Sequence, residues 1–456
     1  MKTYPVKKNE TIELDIIDLT HEGLGVGKVD GYPLFIENSL PGEKVKVLVL
    51  KVGNKFGYGK VLERLTDSPD RVELTDESLL RTGIAPLQHM TYEAQLLFKQ
   101  KQVENVLNKI SKMPDVPVLP SVGMANPVGY RNKAQIPVRK VNRELETGFY
   151  RKNSHDLVPI TDFYIQDPAI DQAVMTIRDI MRRFSVKPYD EEAHTGNLRQ
   201  IIIRRGHYSH QMMVVLVTRT EKLFKHEQIV EVILKELPEV VSIIHNINPD
   251  KTNVILGKES RVLYGQNYIE DQLLGKTYRI SAPSFYQVNT EQTEYLYQTA
   301  MDFAGLTKDD IVIDAYCGIG TIGLSLADRV KHVYGVEIVK DAIEDARINA
   351  FHNEIDNVTF KAGAAESVMT QWKDSGINPT VLVVDPPRKG LTPSFIETSM
   401  EMAPERIVYI SCNPATLARD LKLYGEQYEV KKIQPVDLFP QTAHVEAVAL
   451  LQKRYS

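Results

Sequence analysis

From Ile311 onward the chain repeats one pattern: a short apolar run, a turn, a stretch of helical length, then another apolar run. The runs are Ile311–Asp314, His332–Glu337, Val381–Asp385 and Arg406–Ser411, with helical stretches over 318–330 and 341–353 after the first two. Strands that alternate with helices are joined by crossovers, and crossovers produce a parallel, doubly wound sheet with helices on both faces. Such sheets bind their ligands beyond the carboxyl ends of the strands. The pattern therefore predicts an α/β, Rossmann-like domain and directs attention to the strand tips.

Two further units precede it. Residues 1–64 read as short strands (Thr11–Leu19, Tyr32–Ile36, Lys44–Val52, Tyr58–Leu65) separated by glycine-rich breaks at 23–27, 30–31, 41–42 and 53–59. Close alternation of apolar and polar residues between glycine turns predicts a small OB-like β-barrel. Residues 65–90 and 125–275 mix strands (Leu198–Arg204, Gln211–Thr218, Val241–Asn246) with helices (Asp167–Phe184, Glu221–Leu237), which predicts an α+β middle domain. A helix over Met90–Lys112, with Thr91 as its N-cap, opens segment 91–124, which is assigned with 276–456 to the third domain. At 456 residues each unit can bury a core of its own.

Charge narrows the partners. The net charge of −5 argues weakly against nucleic acid, but the positive residues are clustered. Lys44, Lys46, Lys51, Lys55 and Lys60 lie in the predicted barrel, interleaved with Phe35, Phe56 and Tyr58. A second cluster runs from Arg131 and Lys133 to Lys152, and a third holds Arg199, Arg204, Arg205 and His207. Aromatics beside lysines suit a single-stranded nucleic acid, whose bases stack while its phosphates pair with charge. The same residues would also serve as a small β core with solvated faces. Two cysteines in so long a chain exclude a disulfide framework and favour a reducing, cytoplasmic location. No run of eighteen apolar residues is present, and residues 1–5 lack the apolar core of a signal peptide, so no membrane partner is expected. No obligate protein partner is evident.

The chemistry sits at the strand tips. Asp314-Ala-Tyr316-Cys-Gly318-Ile-Gly320 is a strand running into a glycine turn and a helix, and Glu337 ends the next strand, where an acid can accept ribose hydroxyls. With Gly323 the turn has dinucleotide-fingerprint spacing, which leaves the ligand open between a dinucleotide and a smaller nucleoside cofactor. Asp385-Pro386-Pro387-Arg388 decides between them. An acid followed by two prolines makes a stiff, non-helical loop, which dehydrogenases have no evident use for and S-adenosylmethionine (SAM) enzymes commonly carry. Cys412, between an apolar run and the Asn413-Pro414 break, and Glu446, before an apolar strand, then supply a nucleophile and a base. Cys317 is expected to pack beneath the cofactor turn.

On the motifs Ser284-Phe-Tyr-Gln-Val-Asn289, Asp314–Gly320, Asp385-Pro-Pro-Arg-Lys-Gly390, Ser411-Cys-Asn-Pro-Ala-Thr416 and His444-Val-Glu446, the chain resembles the RNA uracil-C5 methyltransferases. The N-terminal barrel is similar to that family's TRAM domain. The resemblance implies that Gln287, Tyr316, Glu337 and Asp385 bind SAM, that Cys412 is the nucleophile and Glu446 the base, and that Phe285 stacks near the target base. Arg388, Arg131, Lys133 and Arg204 are the candidate RNA contacts. A reactive thiol requires an electropositive or hydrogen-bonded setting, which Arg388 or Arg419 would provide. Many members carry four cysteines for an iron–sulfur cluster; here Arg81-Thr-Gly-Ile-Ala-Pro86 occupies that place, so no cluster is expected and packing must hold the loop. Cluster-less members with a barrel resemble 23S rRNA enzymes, which makes 23S rRNA the expected substrate. The alternatives are a tRNA uracil-C5 methyltransferase, a catalytically silent RNA-binding assembly factor, and a base-N-methyltransferase that needs no thiol.

Overall fold

The computed structural model describes residues 3–455 and contains three main sheets. The C-terminal sheet has seven strands: Ile311–Ala315, His332–Glu337, Val358–Ala362, Val381–Val384, Arg406–Ser411, Tyr428–Val436 and Glu446–Lys453. Numbered first to seventh in chain order, they lie side by side as third, second, first, fourth, fifth, seventh, sixth. The first five are parallel; the seventh runs antiparallel between the fifth and the sixth. The central strands are buried almost throughout because helices cover both faces, which is why Val381–Val384 and Ile407–Ile410 read as unbroken apolar runs. Asn413 caps the helix Pro414–Tyr424, and Asn289 caps Thr290–Ala304, each with a side-chain oxygen that accepts a first-turn N–H.

The middle sheet orders its strands 259–265, 240–247, 212–218, 198–205, 133–141, 144–150 and 157–159, with helices Pro168–Arg183 and His226–Glu236 closing its core. The basic stretch after Arg131 is a hairpin, which its charge concealed: Lys133–Val141 pairs with Glu144–Tyr150 across a two-residue turn. Asn142 and Arg143 there have φ of 49° and 71°, the conformation such tight turns require.

The N-terminal sheet has six strands around Leu14, Ile16, Leu34, Ile36, Val45, Val47 and Val49. The expected first strand Thr11–Leu19 is interrupted, giving Thr11–Asp15 and Asp18–Leu19. The stretch 23–27, expected as a break, contains the start of strand Gly25–Val29. Its glycines are there for close packing: a Cβ on Gly27 would lie 2.5 Å from the Leu14 side chain.

The helix expected over Met90–Lys112 spans Tyr92–Val106, capped by Thr91, and continues as a wider turn over Leu107–Ser111. Val103 and Leu107 join the core of the C-terminal sheet, and Val118 and Val122 bridge to its edge strand at Ile433 and Val436. The loop Arg81–Pro86 rests on packing by Leu79 and Ala85, and Gln95 Nε2 donates to the carbonyls of Leu87 and Met90 just beyond it. Among the described residues no cluster of three or more His, Cys, Asp or Glu side chains is arranged to hold a metal, and no helix is long and apolar enough to cross a membrane.

Candidate active site

Strand register brings the separated motifs together. Ala315 pairs with Val336 on one side and Val384 on the other. The next residue on each strand is Tyr316, Glu337 and Asp385, so these three form a row across the carboxyl edge. The fifth and seventh strands pair antiparallel from Arg406 with Gln452 to Ser411 with Ala447. One residue further, the same register sets Cys412 opposite Glu446.

Each position is held by its surroundings. Tyr316 takes a left-handed φ of 64° at the turn, and its ring leans on Phe395. Glu337 accepts from the N–H groups of Gly318 and Val339, both at 3.2 Å, which fixes its carboxylate over the glycine turn. A Cβ on Gly318 would meet nothing within 4 Å, so the turn borders open space on the side where a ligand would lie. Beneath the turn, Asp314 accepts from Gly323 N–H at 2.8 Å while its Oδ1 is buried without a partner. Cys317 is buried, and burial and then Asp314 and Glu337 raise its thiol well above the ordinary range, which opposes formation of a thiolate there. The loops carrying Asp385 and Cys412 are tied together, because Asn413 Nδ2 and Thr416 Oγ1 both donate to the carbonyl of Arg388.

The electrostatics are acidic. Removal from water raises Asp385 to about 7 and Asp314 to about 8, and pushes Glu446, only 5% exposed, well above the carboxylate range. Cys412 departs from expectation. Burial and then the Glu446 and Asp385 carboxylates push its thiol up to about 11, and the Arg388 guanidinium only partly opposes them. Arg419 turns away, donating to Asp420 and to the carbonyls of Lys389 and Leu391. A pocket whose acids resist ionisation is short of positive charge, which is what a sulfonium and an ammonium group bring. The open side of the glycine turn, the Glu337 carboxylate and this acid set fit SAM.

Gln287 lies in the loop before helix Thr290–Ala304, and the middle sheet holds that loop. Asn132 Nδ2 donates to the Gln287 carbonyl at 2.9 Å, and Arg204 donates to the carbonyls of Ala282 and Ser284. Arg204 therefore corrects an expectation: it is 2% exposed and braces the loop, so it is not available to RNA. Its cluster is not a free basic face: Arg199 donates to the carbonyls of Asn248, Asp250 and Thr252, and Arg205 pairs with Asp167 and Glu239. Arg131 and Lys133 are half-buried beside Arg204 and form no ion pair with an acid among the described residues. Burial and then the Arg204 and Arg131 charges lower Lys133 to about 7. Phe285 projects from the braced loop, 74% exposed, and Arg388 reaches His444 Nδ1 at 3.4 Å. On the N-terminal sheet Phe35 and Phe56 stack at 4.8 Å, with Tyr58 edge-on and Lys51, Lys55 and Lys60 exposed around them.

Sequence reasoning missed the supports. Asn132, Gln95, Lys99, Asp437 and Gln441 carry no motif, and an Arg buried against carbonyls reads in sequence like any surface Arg.

Residues 91–454 match the family model described as tRNA (uracil-5-)-methyltransferase, and residues 5–62 match the TRAM domain. An Enterococcus faecalis protein described as an RNA methyltransferase is 59% identical over 99% of both chains. One from Streptococcus agalactiae is 58% identical, over 98% of this chain and 99% of its own. Among solved structures, the Pyrococcus abyssi tRNA (uracil-54, C5)-methyltransferase in complex with S-adenosyl-L-homocysteine aligns with a TM-score of 0.78 and 27% identity, covering 96% of this chain and 99% of its own. A fold shared over nearly the whole chain, a family model spanning the two strand-tip motif sets, and close relatives of equal length agree: the chain belongs to the tRNA (uracil-5-)-methyltransferase family, SAM-dependent RNA uracil-C5 methyltransferases, and carries a TRAM domain at its N-terminal side.

Proposed function

We propose that this enzyme methylates C5 of one or more uridines in 23S rRNA through a covalent Cys412 adduct. The observation that carries the chemistry is the register that sets Cys412 opposite Glu446 beside the Glu337–Tyr316–Asp385 row. Uracil C5 is a poor nucleophile until C6 gains an electron pair. The Cys412 thiolate adds to C6, forming the S–C6 bond and moving the C5=C6 pair toward O4 as an enolate. SAM, when bound, supplies an electrophilic methyl. Gln287, Tyr316, Glu337 and Asp385 would hold and orient it. The activated C5 would accept the methyl that SAM supplies, the carbon–sulfur electron pair leaving with the cofactor. The Glu446 carboxylate then removes the C5 proton, the freed pair restores C5=C6, and Cys412 leaves as thiolate. Phe285 stacks near the extruded base, while Arg388, Arg131 and Lys133 receive the flanking phosphates. The barrel's aromatic and lysine face extends the contact along unpaired RNA.

The substrate assignment rests on the barrel and on the resemblance of cluster-less members with this layout to 23S rRNA enzymes. One finding favours a second reading: the aligned Pyrococcus abyssi structure is of a tRNA uracil-54 enzyme that shares the full length, so a barrel alone does not distinguish the two RNAs. The test is transfer of labelled methyl from SAM to unmodified 23S rRNA and, separately, to unmodified tRNA, with nucleoside analysis. 5-Methyluridine in 23S rRNA alone is the expected result. Label in tRNA alone would transfer the mechanism to the second substrate; label in neither would refute both.

A further inference from the structure

The loop Asp437–Val445 joins the sixth strand to the strand that begins with Glu446, so whatever holds the loop sets Glu446. Its partners come from outside the C-terminal sheet. Lys99 Nζ pairs with Asp437 Oδ1 at 2.5 Å and donates to the Phe439 carbonyl at 3.1 Å, and Tyr92 donates to Asp437 Oδ2 at 2.8 Å. Both Lys99 and Asp437 are buried. Further along, Gln441 adopts a left-handed φ of 72°, unusual for a residue with a side chain. That conformation is fixed on all sides. Gln95 Nε2 donates to Gln441 Oε1, Gln95 Oε1 accepts from Gln441 N–H, both at 2.9 Å, and Leu87 N–H donates to the Gln441 carbonyl at 2.9 Å.

Leu87 is where the N-terminal sheet enters. It is fully buried in a small apolar cluster with Leu40, Met90 and Phe98, against which Leu19 and Ala443 also pack. Leu19 and Leu40 belong to the N-terminal sheet and its loops; Ala443 stands three residues before Glu446. Approach is close enough that a Cβ on Gly23 would lie 2.4 Å from Leu87 Cδ2. The contacts therefore run from Gly23 and Leu40, through Leu87, to Gln441 and Ala443.

We propose that the N-terminal barrel is a positioning part of the catalytic centre: through Gly23, Leu40 and Leu87 it presses the Gln441–Ala443 loop into the conformation that aims Glu446. This rests on the role of Glu446 as the base. The barrel thus contributes to turnover of bound RNA, separately from any contact its lysines make. With four buried side chains in the cluster, truncating one leaves a cavity beneath the loop and removes part of its support.

The test uses full-length Leu40→Ala and Gly23→Ala proteins, with Lys51→Ala/Lys55→Ala as the contrast and Leu40→Met as the conservative control. The substrate is transcribed 23S rRNA, with unmodified tRNA in a parallel series. Leu40→Ala and Gly23→Ala are expected to lower kcat on the order of ten- to hundredfold, the range for a catalytic group displaced by up to an ångström. KM for RNA should fall together with kcat, SAM binding should persist, and a denaturant-stable methylated adduct should accumulate because proton removal becomes slow. Leu40→Met should restore kcat, and the double lysine variant should raise KM and leave kcat. Loss expressed in KM alone, or unchanged kcat in both variants, would overturn the proposal. Glu446→Gln, run alongside, reports on the base itself. No adduct there removes the base reading; adduct there with none in Leu40→Ala and Gly23→Ala refutes the positioning role alone.

Discussion

Cys412 makes the sharpest prediction because its surroundings oppose the state it needs. Its thiol is pushed up to about 11 by burial and by the neighbouring Glu446 and Asp385 carboxylates. Two pH units above an ordinary thiol reduce the thiolate fraction at pH 7.5 by about a hundredfold. A more basic thiolate is intrinsically a better nucleophile, which recovers about tenfold. Alkylation of Cys412 by iodoacetamide in the ligand-free protein should thus run about tenfold slower than that of a small free thiol, the balance of those two factors. The assay is mass spectrometry of labelling against time from pH 7 to 10. Interpretation is simple because the one other cysteine, Cys317, is buried. Rates should still be rising at pH 10, and Glu446→Gln should lower the midpoint by removing the nearer negative partner. SAM, which adds positive charge beside Asp385, should accelerate labelling, so that the nucleophile is generated when the cofactor is in place. A labelling midpoint at or below 8.5 in the free protein would refute this electrostatic account and restore the electropositive setting expected from sequence.

Four other outcomes follow from the same geometry. Cys412→Ala should abolish methyl transfer while retaining SAM binding by calorimetry; retained turnover would select a base-N-methyltransferase. Glu446→Gln should trap the methylated RNA adduct as a denaturant-stable band, and an inactive variant without adduct would remove Glu446 as the base. Asp385 is raised to about 7, so it is neutral below that pH and anionic above it. SAM affinity should rise through pH 7 and then level off, Asp385→Asn should flatten the profile, and a flat profile in the unmutated protein would place the carboxylate away from the ligand. Arg204→Met removes a buried charged donor from two carbonyls, each such bond being worth about 1.5–3 kcal/mol, so about 3 kcal/mol or more of stability should be lost. Thermal unfolding measures it; an unchanged transition with a smaller salt dependence of RNA binding would instead make Arg204 a phosphate contact.

The acidity of the pocket has a physical purpose in this reading. The buried carboxyl groups of Asp314 and Glu446, the half-buried Asp385 and a thiol lie close together, and Arg388 is the cation that acts on Cys412. Without a ligand, removal from water disfavours the ionised form of each of these groups. On the proposed mechanism, a cationic cofactor would oppose that shift and couple ionisation of Glu446 and Cys412 to its arrival.

Sequence alone was sufficient for whatever depends on local pattern. Apolar runs alternating with helical stretches specified the parallel sheet, since only crossovers connect such strands. The same pattern singles out the strand tips, from Tyr316 to Cys412, as candidate site residues, and the strand register brings them to one edge of the sheet. The strands His332–Glu337 and Arg406–Ser411 match to the residue; in the second, burial on both faces leaves Ile407–Ile410 as an unbroken apolar run. Tertiary structure decided what depends on neighbours distant in the chain. Whether Arg204 meets a phosphate or a carbonyl is fixed by the Ser281–Asn289 loop lying against it, and nothing in its own segment says so. The setting of Cys412 turned acidic because Glu446 and Asp385 arrive from other strands, and a pKa sums charges through space rather than along the chain. The grip of Gln95 and Lys99 on a loop more than three hundred residues away has no sequence signature, because single hydrogen bonds impose no period on either segment.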